Sequence, residues 1–296
     1  TCTVCDTECR AARVPIKEDS MSSEPVLIIG GNGKTGSRVD ALLRARGIAT
    51  RPVSRSTPNP VDWQKPAGWS ASLDGVRKAY VTFQPDLAVE GSTEAIAELA
   101  RQALGKGVEH MVLLSGRNEP GAQRAEAALQ MSGLAWTNVR ASWFDQNFSE
   151  GYLLDGVLAG EISLPAEPVP EPFIDIDDIA DVVVAALTDN QHIGKVYELT
   201  GPEALTFAQA VALVSEAIGR PISFSQITPE EFAMGMREAG EPEEIIALLH
   251  ELFTVVLDGR SSNVMHGVEE ALGRPARCFA DYARRTAATG VWRTEP

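Results

Sequence analysis

The chain lacks any apolar run near the roughly 20 residues that a helix needs to cross a bilayer. Its first residues do not follow the basic, then apolar, then small-residue order of a secretory signal. A cytoplasmic protein with no membrane partner is therefore expected. Basic residues are scarce: 26 Lys and Arg stand against 41 Asp and Glu, a formal net charge of −15 over 296 residues, with a sequence pI near 4.8. Holding a phosphate backbone takes a clustered excess of Lys and Arg, so no nucleic-acid partner is expected. The acidity reads as solubility instead. Cysteine is rare, and three of the four, Cys2, Cys5 and Cys9, form C-x2-C-x3-C ahead of Met21. Three thiolates could serve a metal. Residues 1–20 are polar and aperiodic, however, and stop just before a start-like methionine, so they read as a disordered leader or as residues added upstream of the natural start. The four histidines show no i, i+4 pairing, and no metal site is expected.

What is present is an alternation. With 44% hydrophobic residues and 6% aromatics, the chain can bury one large core, or one core and a smaller lobe. Short apolar runs at 25–30, 48–54, 78–83, 110–116 and 135–141 are separated by amphipathic stretches such as "GSRVDALLRARG" and "GSTEAIAELARQALGKG". Strands alternating with helices at this pitch predict an α/β fold, a Rossmann-type doubly wound parallel sheet. The regularity weakens past residue 142. "LPAEPVPEPF" (164–173) carries four prolines in ten residues and predicts an extended loop. "DIDDIADVVVAALTD" then predicts a helix with acids at its start, "KVYELTG" a late strand, and "TFAQAVALVSEAIGRP" a helix capped by Thr206 and ended by Gly219. The expected organisation is a dinucleotide-binding domain over 21–160, with the remaining sheet elements and a smaller, mostly helical substrate lobe over 161–296.

The stretch "VLIIGGNGKTGSRV" (26–39) sets the choice of ligand. Its "GKT" invites a nucleoside triphosphate, but a Walker loop needs a glycine five positions before Gly33, and that residue is Ile28. Gly30, Gly33 and Gly36 instead make G-x-x-G-x-x-G directly after an apolar strand and at the opening of a helix, the context in which backbone N–H groups approach a dinucleotide pyrophosphate. An NAD site usually places an acid about 20 residues further on, at the ribose 2′-hydroxyl. Between Asp40 and Asp62 there is no Asp or Glu; Arg51, Arg55, Ser54 and Ser56 occupy that region. Guanidinium and hydroxyl groups suit a 2′-phosphate, so NADP(H) is preferred, with NAD(H) as the lesser option.

Together with that loop, "MVLLSGRN", "AEAALQMSGLAWTNVRASWFDQNFSEG", "FIDIDDIADVVVAAL" and "VYELTGPEALTFAQAVALVSEAIGRPISF" resemble the NmrA-like branch of the atypical short-chain dehydrogenase/reductases. Within it the chain is most similar to the agroclavine dehydrogenase group of ergot-alkaloid biosynthesis and its bacterial relatives. The resemblance implies that Gly30, Asn32, Gly33, Lys34, Thr35 and Gly36 line the cofactor phosphates, that Arg55 meets the adenosine ribose, and that Asp62 and Trp63 lie near the adenine. It implies that Thr82, Phe83, Gln84, Ser115 and Gly116 flank the nicotinamide, and that Trp143, Phe144 and Asn147 stand between cofactor and substrate. Packing in the core is the competing role for the two aromatics.

The departure from the wider superfamily concerns a Tyr-x-x-x-Lys pair, whose lysine lowers the tyrosine pKa so that the phenol can protonate a nascent alkoxide. Here Tyr80, Tyr152, Tyr197 and Tyr282 are followed four residues later by Gln84, Gly156, Gly201 and Thr286. Reducing a plain ketone without a nearby acid leaves a strongly basic alkoxide. An iminium ion needs only hydride, and a quinone or extended enone gives a delocalised anion. The expected activity is therefore NAD(P)H-dependent hydride transfer to a small conjugated, quinonoid or iminium-type metabolite of secondary metabolism. Ser115 and Asn118 are then the candidate hydrogen-bond donors, and orientation does most of the work. The alternative is a non-catalytic NADP(H)-bound redox sensor acting through a protein partner. Oligomeric state is not read from the sequence.

Overall fold

The computed structural model describes residues 24–294 other than residue 167. The Cys2, Cys5 and Cys9 cluster and the expected leader over 1–20 lie outside the described residues.

The first strand, β1 (Val26–Ile29), is buried on both faces, as four consecutive apolar residues require. Leu27 and Ile29 enter the core on one side of the sheet and Val26 and Ile28 the core on the other, following the two-residue period of a strand. Helix α1 (Lys34–Ala45), β2 (Thr50–Val53), the single turn α2 (Ser70–Leu73), β3 (Lys78–Val81), α3 (Ser92–Gly105), β4 (His110–Gly116), α4 (Pro120–Gln130) and β5 (Ala135–Ala141) follow. Two short helices, α5 (Asn147–Glu150) and α6 (Leu154–Ala159), lead to β6 (Glu161–Leu164), α7 (Ile176–Thr188) and β7 (Lys195–Leu199). The chain ends with α8 (Phe207–Ile218), β8 (Ser223–Gln226), α9 (Pro229–Glu238), α10 (Glu243–Glu251), α11 (Gly267–Leu272) and α12 (Phe279–Thr289).

Six strands form one parallel sheet in the order β2-β1-β3-β4-β5-β7. Strand order reverses at β1, so the chain leaves β1 toward β2 and returns on the other side as β3. That reversal opens a crevice at the carboxyl ends of β1 and β3, the usual ligand site of such sheets. One apolar layer joins α3 and α4 with Trp69 and Leu73; the other joins α1 and α7, the latter supplying Ile179, Val182, Val183 and Ala186.

The lobe has its own core, held by aromatics in edge-on contact. Phe173 and Phe207 lie 5.0 Å apart at 84°, Phe148 and Phe279 lie 5.4 Å apart at 84°, and the Trp292 indole donates to the Phe148 carbonyl at 2.8 Å. Rings at such angles add to the area they bury. A second, two-stranded parallel sheet of β6 and β8 belongs to this lobe. The sequence reading missed it, because "SFSQ" is short, polar and mostly exposed.

Capping signals written within a few residues match the structure. Thr206 caps α8 in a full capping box with Gln209, and Gly219 ends that helix at φ 68°. Asp175 caps α7 by accepting from the Asp177 N–H at 2.9 Å. No helix among the described residues is long and apolar enough to cross a membrane.

Candidate active site

The glycine loop is shaped by what cannot fit there. Gly30 has φ 81°, and a Cβ on it would lie 2.0 Å from Thr82 Oγ1. A Cβ on Gly36 would lie 2.2 Å from the Gly30 carbonyl oxygen, and one on Gly31 2.5 Å from Pro52 Cβ. Gly33 is less constrained: its Cβ would meet only the Gly30 oxygen, at 3.1 Å. Helix α1 starts with no capping side chain and no acid in its first turn, which leaves its first N–H groups and positive end for an anion.

Around this loop lie two cavities that meet at Thr82. The first, about 320 Å³, is bounded by Gly30, Asn32 and Gly33 of the loop, by Ser54, Arg55 and Ser56 after β2, and by Trp63 and Gln84. Asn32 donates to Ser54 Oγ at 3.1 Å. Arg51 is committed elsewhere, donating to the Ser72 and Asp74 carbonyls at 2.8 and 2.6 Å, so Arg55 is the arginine at this cavity. Trp63 stacks on Phe83 with ring centres 4.6 Å apart. Asp62 lines neither cavity; its carboxylate accepts from the Gln64 N–H at 3.1 Å and pairs with Lys65 at 3.4 Å. Those contacts, the Gln64 N–H first, hold it below the ordinary carboxylate range.

The second cavity, about 350 Å³, brings together Lys34, Thr82, Phe83, Ser115 and Gly116 with Trp143, Phe144 and Asn147. Lys34 reaches across the cleft and donates to Asn147 Oδ1 at 3.3 Å. Burial lowers its pKa, against the pull of Glu150. Thr35 and Gly36 line neither cavity. They sit beneath the loop, where the Tyr80 hydroxyl donates to Thr35 Oγ1 at 2.9 Å. Trp143 faces the cavity while packing on Phe207 and Phe253 at 5.2 and 5.1 Å, so pocket and core roles coincide in it.

The two expected donors are differently placed. Ser115 lines the cavity, but its hydroxyl hydrogen is given to Glu126 Oε1 at 2.6 Å, so toward the cavity it offers lone pairs. Glu126, 1% exposed, also accepts from Arg140 Nε and Nη2 at 2.9 and 2.7 Å. Arg140 and Arg117 both continue to Glu198. Asn118 lines neither cavity; it adopts φ 60° and donates to Ser261 Oγ at 2.9 Å.

Sequence reasoning missed the acids. Asp86, Glu119 and Glu171 all border the second cavity, beside the apolar side chains of Leu87, Leu248 and Leu252. Burial, reinforced by Asp86, pushes Glu119 up to about 8. Burial raises Glu171 to about 7 against the opposing charge of Arg117. Tyr152 also faces this space with a buried hydroxyl that has no hydrogen-bond partner among the described residues. Glu119 stands in "SGRNEP", one residue before the first residue of α4, and nothing in that run announces a buried carboxyl.

A parallel sheet with reversed strand order, a glycine loop opening a helix at the reversal, and a second cavity beyond it define a Rossmann-type α/β protein. Residues 123–274 match the model of the NmrA-like family. An NAD(P)H azoreductase of Xenophilus azovorans is 31% identical over 89% of this chain and 98% of its own length. Agroclavine dehydrogenase of Claviceps fusiformis is 28% identical over 87% of this chain and 95% of its own. An NADPH-dependent quinone oxidoreductase of Escherichia coli, solved with NADPH, superposes with a TM-score of 0.74 at 20% identity, covering 88% of this chain and 99% of that one. The chain belongs to the NmrA-like family.

Proposed function

We propose that this protein is an NADP(H)-dependent oxidoreductase that passes hydride to a small conjugated, quinonoid or iminium-type acceptor. One observation carries the reading: the two cavities adjoin at Thr82, one bounded by the glycine loop and Arg55, the other by Phe83, Trp143 and Phe144. Contact between a dinucleotide-shaped groove and an aromatic-walled pocket is what hydride transfer needs, since catalysis rests on holding donor and acceptor in line. The residues suit the cofactor. A Cβ at Gly30 would strike Thr82 and one at Gly36 the loop's own backbone, and α1 presents an uncapped start. Bound there, the reduced nicotinamide would supply the hydride.

The family relatives named as reductases support turnover, and Arg55 with Ser54 and Ser56 supports NADP(H) over NAD(H). In this reading Gly30, Asn32, Gly33 and Lys34 hold the phosphates while Thr35 and Gly36 shape the loop from below. Trp63 walls the adenine end, Thr82, Phe83, Gln84 and Gly116 frame the nicotinamide, and Trp143, Phe144 and Asn147 meet the acceptor. A cytoplasmic setting, where NADPH is kept reduced, belongs to the same proposal. Titration calorimetry with NADP+ and NAD+, joined to NADPH oxidation with a panel of quinones, azo compounds and cyclic iminium ions, tests it. Binding of NADP+ with turnover of one acceptor class is expected. No nucleotide binding ends the proposal, and tight binding without turnover on any acceptor favours the redox-sensor reading.

A further inference from the structure

We propose that Glu119, buried beside Asp86 at the nicotinamide end of the larger cavity, donates its carboxyl proton to the oxygen or nitrogen anion formed when a conjugated acceptor is reduced. This rests on the reductase reading above, and it supplies the acid that the missing Tyr-x-x-x-Lys pair leaves wanting.

The geometry around Glu119 carries it. The Glu119 carboxyl lies against the end of β4: a Cβ on Gly116 would fall 2.2 Å from its Oε2, so glycine there makes room for it. Asp86 borders the same cavity, close enough for its charge to act on the Glu119 carboxyl, and a like charge beside a buried carboxyl favours its protonated form. Asp86 Oδ1 accepts from the Ala88 N–H at 2.7 Å. Glu119 Oε2 is buried with no hydrogen-bond partner among the described residues, and both residues border the cavity.

The surrounding charges agree. Glu251, at the end of α10, adds negative potential at Glu119. Arg117 does not cancel it, because its guanidinium donates to Glu198 and to the Ser261 carbonyl at 3.3 and 2.7 Å. Lys34 reaches toward Asn147, and Glu171 lies on the same cavity with Arg117 acting on it. Tyr152 is the other proton-bearing group in the wall, but burial raises its pKa and makes the phenol a weaker acid than usual.

The step balances without another reagent. The acceptor gains hydride at carbon from the reduced nicotinamide, its π electrons move to the heteroatom, and that atom takes the Glu119 proton as the O–H bond breaks. The acceptor is reduced by two electrons, the nicotinamide is left oxidised, and the Glu119 carboxylate is reprotonated from solvent. An iminium acceptor needs no such proton and serves as an internal control.

The test uses the full chain and the variants Glu119→Gln and Asp86→Asn. Infrared difference spectra at pH 7 should show a protonated carboxyl in the wild type that Glu119→Gln removes; its titration midpoint should lie near 8 and move lower in Asp86→Asn. This readout requires no turnover. Glu119→Gln should lower kcat with a quinone about 100-fold, leave NADPH affinity unchanged, reduce a cyclic iminium ion as the wild type does, and abolish the fall of the quinone rate at alkaline pH. Absence of the carboxyl band, or equal loss with quinone and iminium, overturns the proposal. A wild type inactive with every acceptor ends this proposal and the reductase reading together, whereas a Glu119→Gln variant as fast as an active wild type ends this one alone.

Discussion

At the scale of single residues, the three motif glycines are unequal, and the inequality is testable. Gly36 is pinned: a methyl group there would overlap the Gly30 carbonyl at 2.2 Å, backbone against backbone, with no flexible side chain to yield. Gly36→Ala should therefore push α1 away from β1, abolish NADP+ binding by calorimetry and lower Tm by several degrees, about 1–3 kcal/mol for an overpacked contact. Gly33→Ala meets only an oxygen at 3.1 Å at extended backbone and should fold normally with binding weakened less than tenfold. Equal effects from the two would show that the loop is not set by this steric lock. Arg55 allows a second comparison. Because Arg51 is spent on the Ser72 and Asp74 carbonyls, Arg55→Ala should raise the Kd for NADP+ about tenfold or more and leave NAD+ nearly unaffected, the loss of one charge-assisted contact. Unchanged discrimination between the two nucleotides would remove the 2′-phosphate assignment.

At the scale of elements, stability is divided among locally encoded helices and a core assembled from distant segments. Helix α8 shows the first kind. Thr206 Oγ1 accepts from the Gln209 N–H at 3.2 Å and Gln209 Oε1 from the Thr206 N–H at 2.8 Å; Thr206→Ala should cost about 1 kcal/mol in urea unfolding, and a loss under about 0.3 kcal/mol would show that packing of Phe207 alone holds the helix start. Such caps, like the β1 to α1 turn, were legible because their partners lie within four residues. The central strands β1, β3 and β4 were legible too, since burial on both faces writes itself as nearly continuous apolar runs. The β6 and β8 pair was not. Its strands are separated by about sixty residues and pair on a partly exposed edge, where "SFSQ" carries no apolar signature.

At the scale of the whole molecule, the larger cavity exists only because the sheet and the lobe meet, and that explains what the sequence withheld. Gly30, Gly33 and Gly36 pointed to a phosphate loop through spacing within a strand-to-helix context, but Glu119 and Glu171 come from separate loops and become unusual only once burial strips their water. Glu171 shows this directly. It lies in the proline-rich connection, pairs through its N–H and C=O with Leu205 of the lobe, is 1% exposed, and has its carboxyl raised from 4.5 to about 7 by burial despite Arg117. A raised acid means that the folded protein holds a proton the unfolded chain has released. Its stabilising contribution is therefore complete below about 4.5 and is lost as pH rises through about 7. Glu171→Gln keeps the neutral form at every pH. Its stability relative to the wild type should improve between pH 5 and pH 9, by on the order of 1–3 kcal/mol, on top of a constant offset from the altered partner of Arg117. Urea unfolding of both proteins at the two pH values measures the change. A difference that does not vary with pH would mean that Glu171 is ionised in the fold, and that the meeting of sheet and lobe leaves the cavity wet.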